Sequence, residues 1–238
     1  MRHEMSNLND EITSHLAPLG ASVVAFADLK ELDAETRDNL PYGISIGVAL
    51  DPKVIADIRI GPTREYYAEY KKVNILLDEL AQQAVLFLLK KNFKAKMRPA
   101  TFEEDKAHLT AKLPHKTIAT RAGLGWIGKN ALLITRKYGP AIRLVTVLTD
   151  APVQPGKPIN DSVCGRCTHC VDACPAHALT GTNWKAGMPR ETLYDAFTCR
   201  EMTRNLTRRL IGEPVSICGL CITACPWTQK YLKKATAK

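Results

Sequence analysis

Long apolar runs are missing from this chain: no stretch of it approaches the roughly 18–20 apolar residues needed to cross a bilayer. No apolar segment followed by a small-residue cleavage site precedes the fold, so a secreted, disulfide-framed protein is not expected and the cytoplasm is the expected location. Low-complexity tracts and repeats of solenoid length are absent. So is the Cys-x3-Cys-x2-Cys triad of radical enzymes that use S-adenosylmethionine. What is present is enough for a core. The 238 residues are 45% hydrophobic, which allows one large domain or two small ones.

Eight cysteines carry most of the information. Cys164, Cys167, Cys170 and Cys174-Pro175 read C-x2-C-x2-C-x3-C-P, the bacterial ferredoxin spacing for a [4Fe–4S] cluster. Cys218, Cys221 and Cys225-Pro226 form a shortened second copy, and the lone Cys199 supplies the missing ligand. Three cysteines within seven residues wrap one corner of a cube, each thiolate reaching a different iron. In two-cluster ferredoxins the fourth cysteine of such a run serves the other cluster. The spacing therefore assigns Cys164, Cys167, Cys170 and Cys225 to one cluster, and Cys174, Cys199, Cys218 and Cys221 to the other. The prolines suit the first turn of a helix. Zinc sites use paired CxxC ligands, a pattern that an overlapping triplet with Cys-Pro endings does not match.

The formal charge is +9 with neutral cysteines. Two oxidised clusters on eight thiolates bring this to about +5, and reduction of both to about +3, since the ion's own charge must be counted. Such mild basicity is compatible with RNA or with an acidic redox partner.

The expected fold class is α+β: a mixed α/β N-terminal domain over 1–155, then a bacterial two-[4Fe–4S] ferredoxin-like domain over 156–238. Leu8, Ile12, Leu16 and Leu19 predict a helix over 5–19, and Ala21–Ala27 and Ile44–Leu50 predict strands. Residues 64–91 hold the strongest helical stripe: Tyr66, Tyr70, Val73, Leu77, Leu80, Ala84 and Phe87, widened by Leu76, Val85 and Leu88. Ala131–Thr135 and Ala141–Thr149 predict a hairpin turning at Lys137–Pro140, and Pro152, Pro155, Gly156 and Pro158 mark a linker.

Residues 121–130 read RAGLGWIGKN. Gly123, Gly125 and Gly128 match the dinucleotide fingerprint, but no convincing strand precedes them and a strand follows. The same residues fit a phosphate-binding loop except that Asn130 stands where Ser or Thr would hold magnesium. Two readings remain. One is a glycine-rich loop to which something large and flat can approach, flanked by Arg121, Trp126 and Lys129. The other is a tight structural turn with Trp126 plugging the core.

RAGLGWIGKN, the LLIT that follows, VLTDAP, CGRCTHCVDACP, the lone cysteine and CGLCITACPW together resemble the epoxyqueuosine reductase family, cobalamin-dependent iron–sulfur enzymes related to reductive dehalogenases. The resemblance runs from about Ile44 to Tyr231 and includes GPTREYYAEYKKV ahead of the long helix. It implies a cobalamin-binding-like N-terminal domain with cofactor contacts from Arg121, Gly123, Gly125, Trp126, Ile127, Gly128, Lys129 and Asn130. It also implies two clusters that pass electrons from an external low-potential donor to the corrinoid, and tRNA as substrate. No D-x-H-x-x-G occurs, so a histidine-ligated, base-off corrinoid is not indicated. Two departures stand out. The family's proton-donating aspartate would fall near Leu109, where this chain reads HLTAKLPHK and no acid lies between Leu109 and Arg121; Asp105 or His115 would have to substitute. The sequence also ends at Lys238, where the family often continues into a helical-repeat region that helps hold tRNA. The alternative function is a ferredoxin-type carrier, or a reductive activator of a separate corrinoid protein, with no substrate chemistry of its own. Arg200, Arg204, Arg208 and Arg209 beside Cys199 suit a phosphate or a solvated helix face, and His169 lies inside the first cysteine run.

Overall fold

The computed structural model describes residues 2–101, 105 and 107–236. The chain folds into two compact units made of interleaved segments. One comprises Met1–Ala49, Val73–Leu124 and Arg143–Ile159; the other comprises Leu50–Lys72, Gly125–Ile142 and Asn160–Lys238. Among the described residues no helix is long and apolar enough to cross a membrane.

The first unit is built on a four-stranded sheet. Helix α1 (Arg2–Leu16) opens it and buries Leu8, Ile12 and Leu16. Leu19, expected on the same stripe, falls in a short 3-10 turn and is exposed. Gly20 at φ +111° ends the segment, a left-handed geometry that costs glycine nothing. Strand β1 (Val23–Asp28) pairs antiparallel with β2 (Tyr42–Ala49), from Val23 opposite Gly47 to Asp28 opposite Tyr42. The short helix α2 (Pro52–Ala56) and the opening turns of the long helix α3 (Arg64–Lys90), with buried Tyr66, belong to the second unit; from Val73 onward α3 belongs to the first and buries Val73, Leu77, Leu80, Ala81, Ala84 and Leu88 along one face. The periodicity thus identifies the packed face, although Tyr70 and Phe87 end half-buried at its margin.

Strand β3 (Ala95–Arg98) and helix α4 (His115–Arg121) follow. Ile118 of α4 joins Ala27, Leu29, Leu40, Leu113, Ala122 and Leu148 in one buried cluster. At Gly43 of β2 an added Cβ would stand 2.9 Å from Ile118 Cγ2, so this glycine lets the strand and helix approach.

The sequence-predicted hairpin does not form. Leu133–Ile134 is strand β5 and pairs with β4 (Trp126–Ile127), Trp126 opposite Ile134 and Ile127 opposite Leu133. Thr135 and Gly139 close a tight loop by exchanging backbone hydrogen bonds at 3.0 Å. Strand β6 (Ile142–Thr149) then leaves to run between β2 and β3 in the order β1-β2-β6-β3. Its residues from Val145 to Thr149 are buried on both faces, as a central strand requires, whereas the apparent alternation suggested an arm with one wet face.

The second unit holds the β4–β5 hairpin and short helices. These are α5 (His169–Asp172), α6 (Ala196–Ile211), α7 (Leu220–Thr223) and α8 (Pro226–Thr236). Asp195 caps α6 by accepting from Phe197 N and Thr198 N at 2.9 and 3.0 Å, and Gly212 at φ +88° ends it. Tyr231 Oη donates to Leu50 O at 2.8 Å, and its ring meets Tyr138 edge-on at 5.2 Å.

Leu77 is fully buried on α3 while Leu86 on the same helix is 43% exposed. Leu77→Ala should cost about 2–5 kcal/mol and Leu86→Ala less than about 0.5 kcal/mol. Urea melts of the two variants check this; equal losses would show that the stripe does not mark the packed face.

Candidate iron-sulfur centre

All eight cysteines lie in the second unit as free thiols. Short elements present them. Cys170 sits on α5, Cys199 on α6 and Cys221 on α7, while Cys225 precedes the proline that opens α8. Cys174 and Cys225 are buried and the other six are half-buried.

Burial pushes the Cys170 thiol up to about 11, and Cys164, Cys225 and Cys167 reinforce the shift. Burial likewise raises Cys199 to about 11, with Cys174 and Cys218 adding to it. Cys221 is driven well above the ordinary thiol range by burial, then by Cys218, Cys199, Cys170 and Cys174. Burial raises Cys225 as well; the backbone N–H groups of Trp227 and Thr228 oppose the shift by donating to its sulfur. Leu220 N–H does the same for Cys218. The His169 Nδ1 lies 3.7 Å from Cys167 Sγ. Among the described residues no three His, Cys, Asp or Glu side chains converge closely enough for one metal ion. A cubane does not require that, because each of its irons takes its own thiolate. A donor set of eight soft sulfurs with N–H groups aimed at two of them fits iron–sulfur clusters.

The glycine loop is built for its own chain. Helix α4 precedes it and the β4–β5 hairpin follows, so both nucleotide readings lack the required strand–loop–helix order. Gly123 is at φ +72°, and an added Cβ would stand 2.5 Å from Lys157 O. At Gly125 it would meet Ile134 O at 2.2 Å, and at Gly128 it would meet Ile134 Cδ1 at 2.3 Å. Arg121 is buried, donating to Glu31 Oε1 at 2.7 Å and to Ile159 O at 3.1 Å. Ile127 and Lys129 are buried too. Asn130 Nδ2 donates to Cys221 O at 3.3 Å while its Oδ1 accepts from Leu132 N at 3.2 Å, tying the loop to a cysteine segment.

Trp126 is 1% exposed, and its indole N–H is buried without an acceptor. Trp227 packs edge-on against it at 5.4 Å, and the Arg136 guanidinium lies 5.9 Å from both ring centroids. The Thr228 hydroxyl is likewise buried without a partner. Orphaned polar groups of this kind are rare and ask for a ligand. A cofactor that offers acceptors fits them. Trp227, Thr228 and Arg136 escaped the sequence reading; the tryptophan after Cys225-Pro226 was the signal for the first two, and nothing local marks Arg136.

Neither Asp105 nor His115, the two expected substitutes for the donor, is placed to give up a proton. His115 Nε2 donates to Pro99 O at 2.9 Å and its Nδ1 accepts from Thr146 Oγ1 at 2.8 Å, while burial holds the ring down to about 4. Asp105 is held below the usual carboxylate range by its hydrogen bond with His108, 2.6 Å from Nδ1. Leu109 itself turns the backbone at φ +55°.

The family model for a 4Fe-4S double cluster binding domain matches residues 163–228. An epoxyqueuosine reductase of Listeria monocytogenes is 37% identical over 125 residues, 51% of this chain and 31% of that protein. One from Synechocystis is 32% identical over 126 residues, 51% of this chain and 42% of that protein. This chain is similar to epoxyqueuosine reductases over about half of its length. It spans about a third of the length of the curated relatives it matches. Its fold is shared with a crystal structure of epoxyqueuosine reductase bound to a modified tRNA stem loop: TM-score 0.65, 21% identity, 94% of this chain and 66% of that one. It is shared equally with a catabolic reductive dehalogenase: TM-score 0.68, 18% identity, 94% of this chain and 33% of that one. The α+β class and the C-terminal double-cluster module expected from the sequence are therefore present, and the chain is an iron–sulfur protein with two [4Fe–4S] clusters.

The raised thiols make the metal-free fold sensitive to alkali. A thiol whose folded value lies above its ordinary 9.0 stabilises the fold fully below about 9 and ceases to do so as pH rises through about 11. The urea midpoint of the metal-free chain should therefore fall between about pH 9 and 11. A midpoint that is flat or rising across that window would contradict the burial of Cys170 and Cys199.

Proposed function

We propose that the chain is an iron–sulfur oxidoreductase that passes electrons through its two clusters to a bound cobalamin, which reduces the substrate. The observation that carries this reading is the set of eight thiols gathered within a double-cluster module. Cys164, Cys167, Cys170 and Cys225 hold one cluster; Cys174, Cys199, Cys218 and Cys221 hold the other. The mutual influence of the thiols agrees with this division at Cys170, which responds to Cys164, Cys225 and Cys167, and at Cys199, which responds to Cys174 and Cys218, while Cys221 responds to Cys218 and Cys199 and also to Cys170 of the other set. Trp227 and Thr228 N–H groups aimed at Cys225 favour the reduced, more negative state of its cluster.

Residues 1–155 carry the corrinoid side of the reaction and 156–238 the clusters, with residues 121–130 against the corrinoid. In that loop the orphaned Trp126 N–H would meet an acceptor of the cofactor with Lys129 and Asn130 beside it, and Arg121, Gly123, Gly125, Ile127 and Gly128 would set the backbone that holds it. When bound, cobalamin supplies a redox-active cobalt. The electrons come from an external low-potential donor, and the substrate is epoxyqueuosine in tRNA, the modification present in the related complex. The location is the cytoplasm.

A second reading has its own observation. Asp105 stays ionised and His115 stays neutral with both nitrogens engaged, so neither of these two candidates among the described residues offers a proton near Leu109. That favours a ferredoxin-type carrier, or an activator that reduces a partner corrinoid protein. Anaerobic titration with cobalamin, followed by the cob(II)alamin EPR signal and by conversion of epoxyqueuosine tRNA, decides between the two. The enzyme reading expects a changed signal and queuosine formation. An unchanged signal with all cobalamin recovered on filtration ends it, and loss of a partner corrinoid protein's cob(II) signal then establishes the activator.

The ligand division has a separate test. Cys199→Ala should lower iron from about eight to about four per chain and leave the EPR signal of one reduced cluster intact. Loss of both clusters, or of neither, would reject the division.

A further inference from the structure

We propose that the basic face made by α8 and the loop of Cys164–Cys170 is the docking surface for an acidic one-electron carrier protein, which delivers its electron to the cluster of Cys164, Cys167, Cys170 and Cys225. The proposal rests on the cluster reading above and adds the place of entry.

The chemistry of the face is one-sided. Helix α8 bears Lys230, Lys233 and Lys234 and has no acid among its residues. The stretch from Val163 to Val171 bears Arg166 and His169 and again no acid. The nearest carboxylate along the chain, Asp172, is engaged by the Thr168 hydroxyl at 2.9 Å. Between the two segments lies a cavity of about 580 Å³ lined by His169, Thr223, Pro226, Gln229, Lys230 and Lys233.

This surface is coupled to the ligands. Lys230 Nζ lies 4.5 Å from the Trp227 ring centroid, and the backbone of Trp227 donates to the Cys225 sulfur. Val163, next to Cys164 in the chain, is 52% exposed and adds an apolar side chain to the basic loop segment.

Lysine is the residue type for such a contact. Its compact, strongly hydrated charge steers an acidic partner without locking it, whereas the planar guanidinium suits bidentate binding of phosphate. On that ground the arginines of α6, Arg204 and Arg208, fit an RNA backbone better and α8 fits the carrier. The transfer is balanced by itself: the carrier loses one electron, the [4Fe–4S]2+ core gains it, and no bond or proton moves.

The test mixes the reconstituted full chain, without oxygen, with a pre-reduced plant-type [2Fe–2S] ferredoxin. Freeze-quench EPR follows the loss of the ferredoxin signal and the growth of the [4Fe–4S]+ signal. The rate constant should fall about tenfold between about 20 and 300 mM salt. The double variant Lys230→Glu with Lys233→Glu should lose about tenfold at low salt and most of its salt dependence, while reduction by dithionite is unchanged. Arg204→Glu with Arg208→Glu should leave the rate as it was. An undiminished rate in the lysine variant, or an equal loss in the arginine variant, overturns the proposal. Loss of binding of a labelled tRNA stem loop by the lysine variant, with electron transfer intact, would make this an RNA surface and overturn it as well. If dithionite itself produces no [4Fe–4S]+ signal in the parent chain, the cluster reading has failed and takes the docking site with it.

Discussion

Gathering eight buried or half-buried thiols into one unit is tolerable only while they stay protonated or bind metal. Two unit charges about 4 Å apart repel by about 4 kcal/mol at an effective dielectric of 20, and ionised thiolates here would repel one another, as the mutual upward shifts of Cys170, Cys199 and Cys221 show in direction. Positive iron removes the conflict, and so its binding free energy becomes folding free energy for the elements around it. The shape of those elements follows. Helices α5 and α7 are four residues each, far below the length at which a helix holds itself in water. Cluster binding would anchor them through their cysteines, and left-handed glycines such as Gly219 turn the chain between them.

The glycine loop shows one motif serving two demands. Its three glycines are required by close approach of the chain's own backbone and side chains, which is the work of a structural turn. Yet its tryptophan buries an N–H with nothing to accept it, a cost of about 1–3 kcal/mol that a closed protein core would not retain without reason. The hydrogen bond from Asn130 to the Cys221 carbonyl joins this loop to the cysteine segments within the second unit. Scaffolding the clusters and offering one polar group to a ligand are compatible roles for the same ten residues.

Charge is divided by residue type. Lysines gather on α8 beside the Cys225 segment, and arginines run along α6 beside Cys199. The two helices present different chemistry to partners although the net count treats them alike, and the clusters' own negative charge offsets part of both.

Some of this was legible residue by residue. The cysteine spacing announced the clusters because three ligands to one cube must be local, and the α3 stripe announced a packed face because a helix repeats its geometry every few residues. The order of elements around RAGLGWIGKN was also readable, and it excluded a nucleotide loop. Other features came only with the tertiary structure. Leu133–Ile134 pairs with Trp126–Ile127 and not with β6, because β6 is claimed by the buried centre of the sheet. His115 is a neutral, half-buried residue with both ring nitrogens bonded, because Pro99 and Thr146, distant in sequence, meet it. Arg136 reaches two tryptophans that no local pattern connects to it. Ligand type and helical face are set by neighbours along the chain, which a sequence records directly. Strand pairing, desolvation and orphaned polar groups are set by what arrives across space, and only the folded chain decides that.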